Sequence, residues 1–346
     1  MYLTKLYVQD FRIFTQNTWD FDPGVNWLVA PNGSGKSSIL EAISLLSTTK
    51  SWRADKTAEM IRFDQQLARV YALRDDGLRL GITLTPGVLD GRKTSVKHYQ
   101  LDQARKRAAD FLGHLYTVCF RPEDLNLITG SSSRRRTYLD TVLLQTSSPF
   151  ALAHKNYAAA NLRRTKTLQD IRDQNLPPES LNFWDEQVLM HGQIIQEYRQ
   201  KLIDFINEDS LDHKYQLVYQ PNLITSERLA DHRAAELALG HPLVGPHKDD
   251  WHILTTLNHR PQTDLANFGS RGQQRLAVLF LLLAQLHYLH RTSGHTPLLL
   301  LDDIFSELDE LASQQVLSLL PQQQTFVTTT AQNMVQLDTC QKIITL

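Results

Sequence analysis

The chain has 346 residues, 42% hydrophobic and 21% charged, with two cysteines and a net charge of −1 from 36 basic and 37 acidic side chains. That balance suits a soluble globular protein of one large domain with an insertion, or of two domains, and it excludes a polycationic coat and a disulfide framework. The opening MYLTKLYVQDFRIF carries charges every few residues, and the longest apolar run, residues 276–283, falls far short of the ~20 residues of a spanning helix. We therefore expect no signal peptide, no membrane partner, a cytoplasmic location, and inert thiols at Cys119 and Cys340.

In chain order, LTKLYVQDF and NTWDF read as strands, and DPG at 22–24 as a turn in which Pro23 presets φ and Gly24 takes a positive φ. VNWLVA (25–30) is a short apolar strand that runs into APNGSGKSS, and Ile39, Leu40, Ile43 and Leu46 then recur at helical spacing. Strand, glycine loop and helix are the context of a phosphate-binding loop. Gly33 and Gly35 let backbone N–H groups point inward, and Lys36 supplies a charge for β- and γ-phosphates. The Ser37 hydroxyl is placed for Mg²⁺. Pro31, Asn32, Ser34 and Ser38 complete the expected nucleotide-binding set. Ala30 stands where the first glycine is usual, and it fits if its φ stays negative.

Residues 136–235 read as long amphipathic helices. Trp184, Val188, Ile195, Tyr198, Leu202 and Ile206 recur at intervals of three, four or seven, and Pro177-Pro178 marks a break between two antiparallel helices. α/β patterning then returns with an apolar helix at 273–290, a buried strand LLLL at 298–301 and a strand TFVTTT at 325–330. The expected organisation is α/β, with 1–135 and 236–346 forming one discontinuous nucleotide-binding domain (lobe I) and 136–235 an inserted helical arm (lobe II).

Two further stretches bear on the chemistry. LLLLDDIFSELDE ends a buried strand in two carboxylates: Asp302 would hold Mg²⁺ through its water shell, and Asp303 is the candidate base that polarises the attacking water. The alternative is an acidic strand cap. In FGSRGQQR, Ser270, Arg271, Gly272 and Gln273 open a helix with a hydroxyl and bare backbone, a second γ-phosphate receptor. Two receptors in one chain suggest a head-to-tail pair in which each Ser270 helix closes over the other protomer's ATP. The alternative is a plain helix cap.

Ser270-Arg271-Gly272-Gln273 resembles the ABC-type signature, and the Asp-Asp strand with SELD resembles the Mg²⁺ strand and D-loop. DFRIF (10–14), KSWRADKTAEMIRF (50–63), CFRPEDLNLITGSSSRRRTYLD (119–140), LNFWDEQVLMHG (181–192), VGPHKDDW (244–251) and FVTTT (326–330) resemble the RecF family of SMC-like ATPases, in order and from end to end. This resemblance implies an ABC/SMC-type P-loop ATPase head with an inserted helical lobe, and weak, DNA-stimulated ATP hydrolysis. It also implies ATP-induced dimerisation, binding of double-stranded DNA in recombinational repair and replication-fork maintenance, and work with RecO and RecR in loading RecA at gaps. Lys36 and Ser37 carry over as phosphate and Mg²⁺ ligands, Asp302 as the Mg²⁺ partner, Asp303 as the catalytic carboxylate, and Ser270 as the serine acting in trans. Arg12 stands where related heads place an arginine near the phosphates. The RPEDL stretch (121–125) stands in the place of the Q-loop, where Glu123 or Asp124 would sense the nucleotide.

The basic clusters available for DNA phosphates are Arg134-Arg135-Arg136, Arg105-Lys106-Arg107 with Lys93 and Lys97, and Arg163-Arg164-Lys166. Each can equally be a solvated face, or a brace for the segment around it. Of 13 histidines, only His247 falls within a motif, where a turn-stabilising or interface bond is expected. A transporter's energising subunit would carry a Q-loop glutamine and a switch histidine. This chain has Pro122-Glu123 and threonines instead. A non-hydrolytic, nucleotide-gated interaction module is the other alternative, and Ala30 leaves room for it.

Overall fold

The computed structural model describes residues 1–89, 91–174, 176–208, 214–255, 263–304, 314, 323–330 and 341–346. Cys340 and the SELD segment lie outside them. The described chain divides into two compact units, Met1–Leu125 with Arg275–Leu346, and Asn126–Gln274. The second unit is wider at both ends than the span 136–235 expected for the arm.

In the first unit a six-stranded antiparallel sheet runs in the order Phe14–Asp20, Leu3–Phe11, Ala68–Arg74, Arg79–Leu84, Lys97–Leu101, Ala104–Lys106. A parallel sheet runs Thr117–Phe120, Leu298–Leu301, Thr325–Thr329, Val25–Val29, Gln341–Thr345. The two sheets show the burial their sequences encode. Parallel strands are covered on both faces, so VNWLV and LLLL are buried at every position. The antiparallel strand LTKLYVQDF buries Leu3, Leu6, Val8 and Phe11 while the residues between them are more open. The helix Lys36–Thr48 belongs to the core formed with these strands, where Ile39, Leu40 and Ile43 join Leu6, Val8, Leu298, Leu300 and Phe326. The Gln324 amide holds the chain's two ends together: its Oε1 accepts from Leu3 N and its Nε2 donates to Leu3 O, both at 2.7 Å.

The second unit contains the helices Ser132–Thr146, Ser148–Arg172, Asn182–Glu208 and Ser226–Leu239. The expected break at Pro177-Pro178 is a 3₁₀ turn, Pro178–Leu181, between the two longest. Val188, Ile195, Leu202 and Ile206 are buried, whereas Trp184 and Tyr198 are only partly so. The unit is not purely helical. Tyr215–Gln220 pairs antiparallel with Asp250–Thr255, which pairs in turn with Thr263–Asp264. The partners of the first pair are separated by a whole helix in sequence, so local patterning within 136–235 could not announce the sheet.

Candidate nucleotide site

The phosphate loop is built by strain that glycine relieves. Gly33 and Gly35 have φ of 82° and 96°, in the left-handed region. At Gly35 space enforces the same choice, since a Cβ would lie 2.5 Å from Phe14 Cζ and 2.8 Å from Ile13 Cδ1. Ala30 is not among the residues with positive φ, which is why alanine serves where glycine is usual. Lys36 is buried and its Nζ donates to the carbonyls of Ala30 (2.5 Å) and Pro31 (2.9 Å), so the ammonium sits within the loop's own curve. Burial lowers its pKa, while Asp303 and Asp302 oppose that shift.

The four-leucine strand delivers Asp302 to this loop. Its Oδ1 accepts from Ser37 Oγ (2.9 Å) and from Thr328 Oγ1 (2.8 Å), and its N–H donates to Phe120 O (2.9 Å). Asp303 has a φ of 47°, a strained conformation for a residue with a side chain, and its N–H donates to Thr328 Oγ1 at 2.8 Å. A hydroxyl and a carboxylate, both hard oxygen donors, thus meet beside the lysine. That donor set fits Mg²⁺ carrying part of its water shell.

Arg12 forms a fork on Glu41, with Nε to Oε2 at 2.8 Å and Nη2 to Oε1 at 2.6 Å, and its Nη1 donates to Glu59 O at 2.8 Å. Glu41 is fully buried on the phosphate-loop helix and also accepts from Ser51 Oγ. The guanidinium expected near phosphate is therefore committed to bracing the loop's helix against the segment 50–63. Arg121 grips Asp124 through its Nε (3.1 Å) and Nη2 (2.5 Å), and it stacks over Trp52, 5.6 Å from the ring centroid. Burial works against the Arg121 charge, yet Asp124 holds its pKa above the ordinary value.

Within the second unit, Ser270 opens the helix Arg271–Ser293 with a reciprocal cap. Gln273 N donates to Ser270 Oγ (3.3 Å) and Ser270 N donates to Gln273 Oε1 (2.8 Å). Ser270 and Arg271 are exposed, and a Cβ on Gly272 would meet nothing within 4 Å. The signature segment is thus a preformed helix start with open approach.

Comparison with known proteins decides the family. The model of the RecF/RecN/SMC N-terminal domain matches residues 2–345. The DNA replication and repair protein RecF of Roseiflexus castenholzii is 32% identical, covering 95% of this chain and 93% of that protein. RecF of Caldanaerobacter subterraneus is 31% identical over 99% and 98%. The chain belongs to the RecF family. Among solved structures, that of the recombination mediator protein RecF-ATPrS in the RecFOR pathway has a TM-score of 0.86 at 28% identity, covering 99% of this chain and 96% of that one. The corresponding RecF-ATP structure has a TM-score of 0.84. The fold is accordingly that of an ABC/SMC-type P-loop ATPase, in a family named for DNA replication and repair.

The RecF-like motif GPHKDD forms the hub of a buried polar network. Asp249, 1% exposed, accepts from Arg199 Nη1, Gln196 Nε2 and Asn222 N, each at 2.8 Å, and from the Tyr219 hydroxyl. Arg199 also forks onto Asp140 at 2.9 and 3.0 Å. His247 shares a 2.7 Å bond between Nδ1 and the Tyr157 hydroxyl, which ties its turn to the helix Ser148–Arg172, and burial pushes its pKa down to about 4.

The basic clusters separate by use. Arg135 forks onto Asp250 (2.6 and 2.9 Å) and donates to Gly130 O at 2.7 Å. Arg136 donates to Asp249 O (2.7 Å), and Arg134 is exposed. Arg164 is 1% exposed and bridges Asp185 and Glu236, both at 2.6 Å, between exposed Arg163 and Lys166. Arg105, Lys106 and Arg107 are exposed; Arg107 pairs with Asp110, and Arg105 contacts His98. Glu41 and Thr328 escaped sequence reasoning. A glutamate between apolar Leu40 and Ala42 on the loop's helix, and the threonines that end a buried strand, were the available signals.

Proposed function

We propose that this chain is an ATP-gated, DNA-binding ATPase of recombinational repair and replication-fork maintenance, acting in the cytoplasm. The observation that carries the reading is the meeting of Ser37 with Asp302 at 2.9 Å, at the end of a fully buried strand and beside Lys36. The loop N–H groups and Lys36 would hold the triphosphate. Ser37 would ligate Mg²⁺ directly and Asp302 through water. The metal neutralises the developing phosphate charge when bound. Asp303 would orient and polarise the attacking water, with slow turnover used for release.

The exposed start of the Ser270 helix would close over a second protomer's γ-phosphate, so that ATP and not ADP favours a head-to-tail dimer. Double-stranded DNA would be held without sequence preference by the exposed arginines and lysines, Arg134 and Arg105–Arg107 foremost. The family resemblance supports work with RecO and RecR in loading RecA. Light scattering with ATP, ADP and no nucleotide tests the gate. Lys36→Ala abolishes ATP binding, Ser270→Arg binds ATP without dimerising, and Asp303→Asn accumulates ATP-bound dimers. A wild-type protein that stays monomeric in every nucleotide state refutes the mechanism.

A further inference from the structure

The hydroxyl of Thr328 joins the two acidic residues of the nucleotide site. Its single proton goes to Asp302 Oδ1 at 2.8 Å, and its oxygen accepts from Asp303 N–H at 2.8 Å. Thr328 is 1% exposed, on a strand whose ladder with the leucine strand has its last rung at Leu301–Val327. One residue beyond that rung, backbone pairing gives way to this side chain. There the threonine does two things at once: it fixes one oxygen of Asp302, and it ties down the left-handed main chain of Asp303.

We infer that Thr328 is a positioning residue for Mg²⁺-dependent hydrolysis. It orients the Asp302 carboxylate toward the metal's water shell and sets where the Asp303 carboxylate stands. Oδ1 of Asp302 takes two hydroxyl donors, Ser37 and Thr328, which turns Oδ2 into the oxygen open to a metal-bound water. Rotation of the carboxylate about its own axis would cost the Thr328 bond, so the orientation is held before any ligand arrives. Threonine rather than valine is needed because the same shape without a hydroxyl would leave Asp303 N–H without its acceptor. The inference rests on the roles given above to Asp302 and Asp303, and the test separates the two.

Thr328→Val and Thr328→Ala are compared with Thr328→Ser and wild type in Mg²⁺ titrations of turnover and of fluorescent ATP-analogue binding, alongside analogue binding in EDTA and thermal melting. A charge-assisted hydrogen bond of this kind predicts about a tenfold loss of turnover and about a tenfold higher Mg²⁺ requirement in the valine and alanine variants. Binding in EDTA stays within about twofold of wild type, and serine restores both quantities. A valine or alanine variant with the wild-type Mg²⁺ requirement overturns the inference. So does a loss confined to melting temperature and EDTA binding, or a serine variant that fails to restore. A wild-type protein whose analogue binding and turnover ignore Mg²⁺ removes the roles of Asp302 and Asp303 themselves, and the inference with them.

Discussion

The nucleotide loop of the first unit and the buried ion pairs of the second use charge in opposite ways. In the first, one ammonium rests against backbone carbonyls and hydroxyls hold a carboxylate, so each charge faces neutral partners. In the second, Arg199 pairs with both Asp140 and Asp249 in the interior, and Arg164 pairs with Asp185 and Glu236. An ion in the first region leans on neutral groups, whereas an ion in the second is already spent on the fold. A run of arginines read from sequence therefore says little about binding until its partners are known.

The largest effect should come from breaking the spent network. Asp249→Ala leaves Arg199 Nη1, Gln196, Tyr219 and Asn222 N without their common acceptor. Equilibrium denaturation should show a loss of about 3–5 kcal/mol, the scale of removing one partner from a buried ion-pair network. A loss under about 1 kcal/mol would mean that the hub is ornamental.

Acid should act on the same unit next. His247 is neutral in the fold because burial depresses its pKa to about 4, whereas the unfolded chain titrates near the ordinary 6.5 of histidine. Between those values the unfolded state binds more protons, so stability rises with pH across that window and is lost as pH falls through it. The full swing is on the order of 3 kcal/mol. Asp140, although buried, is held at about 2 by His154 and Arg199, and its contribution disappears only below the ordinary 3.8. Melting curves from pH 7 to 4 should fall for wild type and flatten for His247→Gln. A flat wild-type profile would contradict the burial argument.

The smallest effect separates neighbouring arginines. Arg134→Ala should weaken duplex DNA binding evenly across sequences and reduce the slope of log K against log salt by about one. Arg135→Ala should leave that slope alone and cost about 1 kcal/mol of stability through its partly exposed fork on Asp250. An exchange of these outcomes would reverse the division drawn between the two side chains.

Much of the nucleotide loop was legible because its physics is local. Glycines at 33 and 35, the lysine and serine after them, and four leucines before Asp302 each declare themselves within a few residues. The same holds for the Ser270–Gln273 cap and for the helices flanking Pro177-Pro178. Arg12 was read as an arginine near the phosphates, and its fork on Glu41 was not legible, because that fork joins residues 29 positions apart. The strand Tyr215–Gln220 was missed because its partner lies beyond an intervening helix.

Sequence alone determined the family, the α/β class, the phosphate loop and the acidic strand end, since periodicity, backbone conformation and short-range spacing act between near neighbours. Only tertiary structure decided which arginines are consumed internally and which remain exposed, where the second unit begins and ends, and that Thr328 holds Asp302 and Asp303 together. The physical reason is that ion pairs and side-chain hydrogen bonds act through space, while the order of residues records only what is adjacent along the chain.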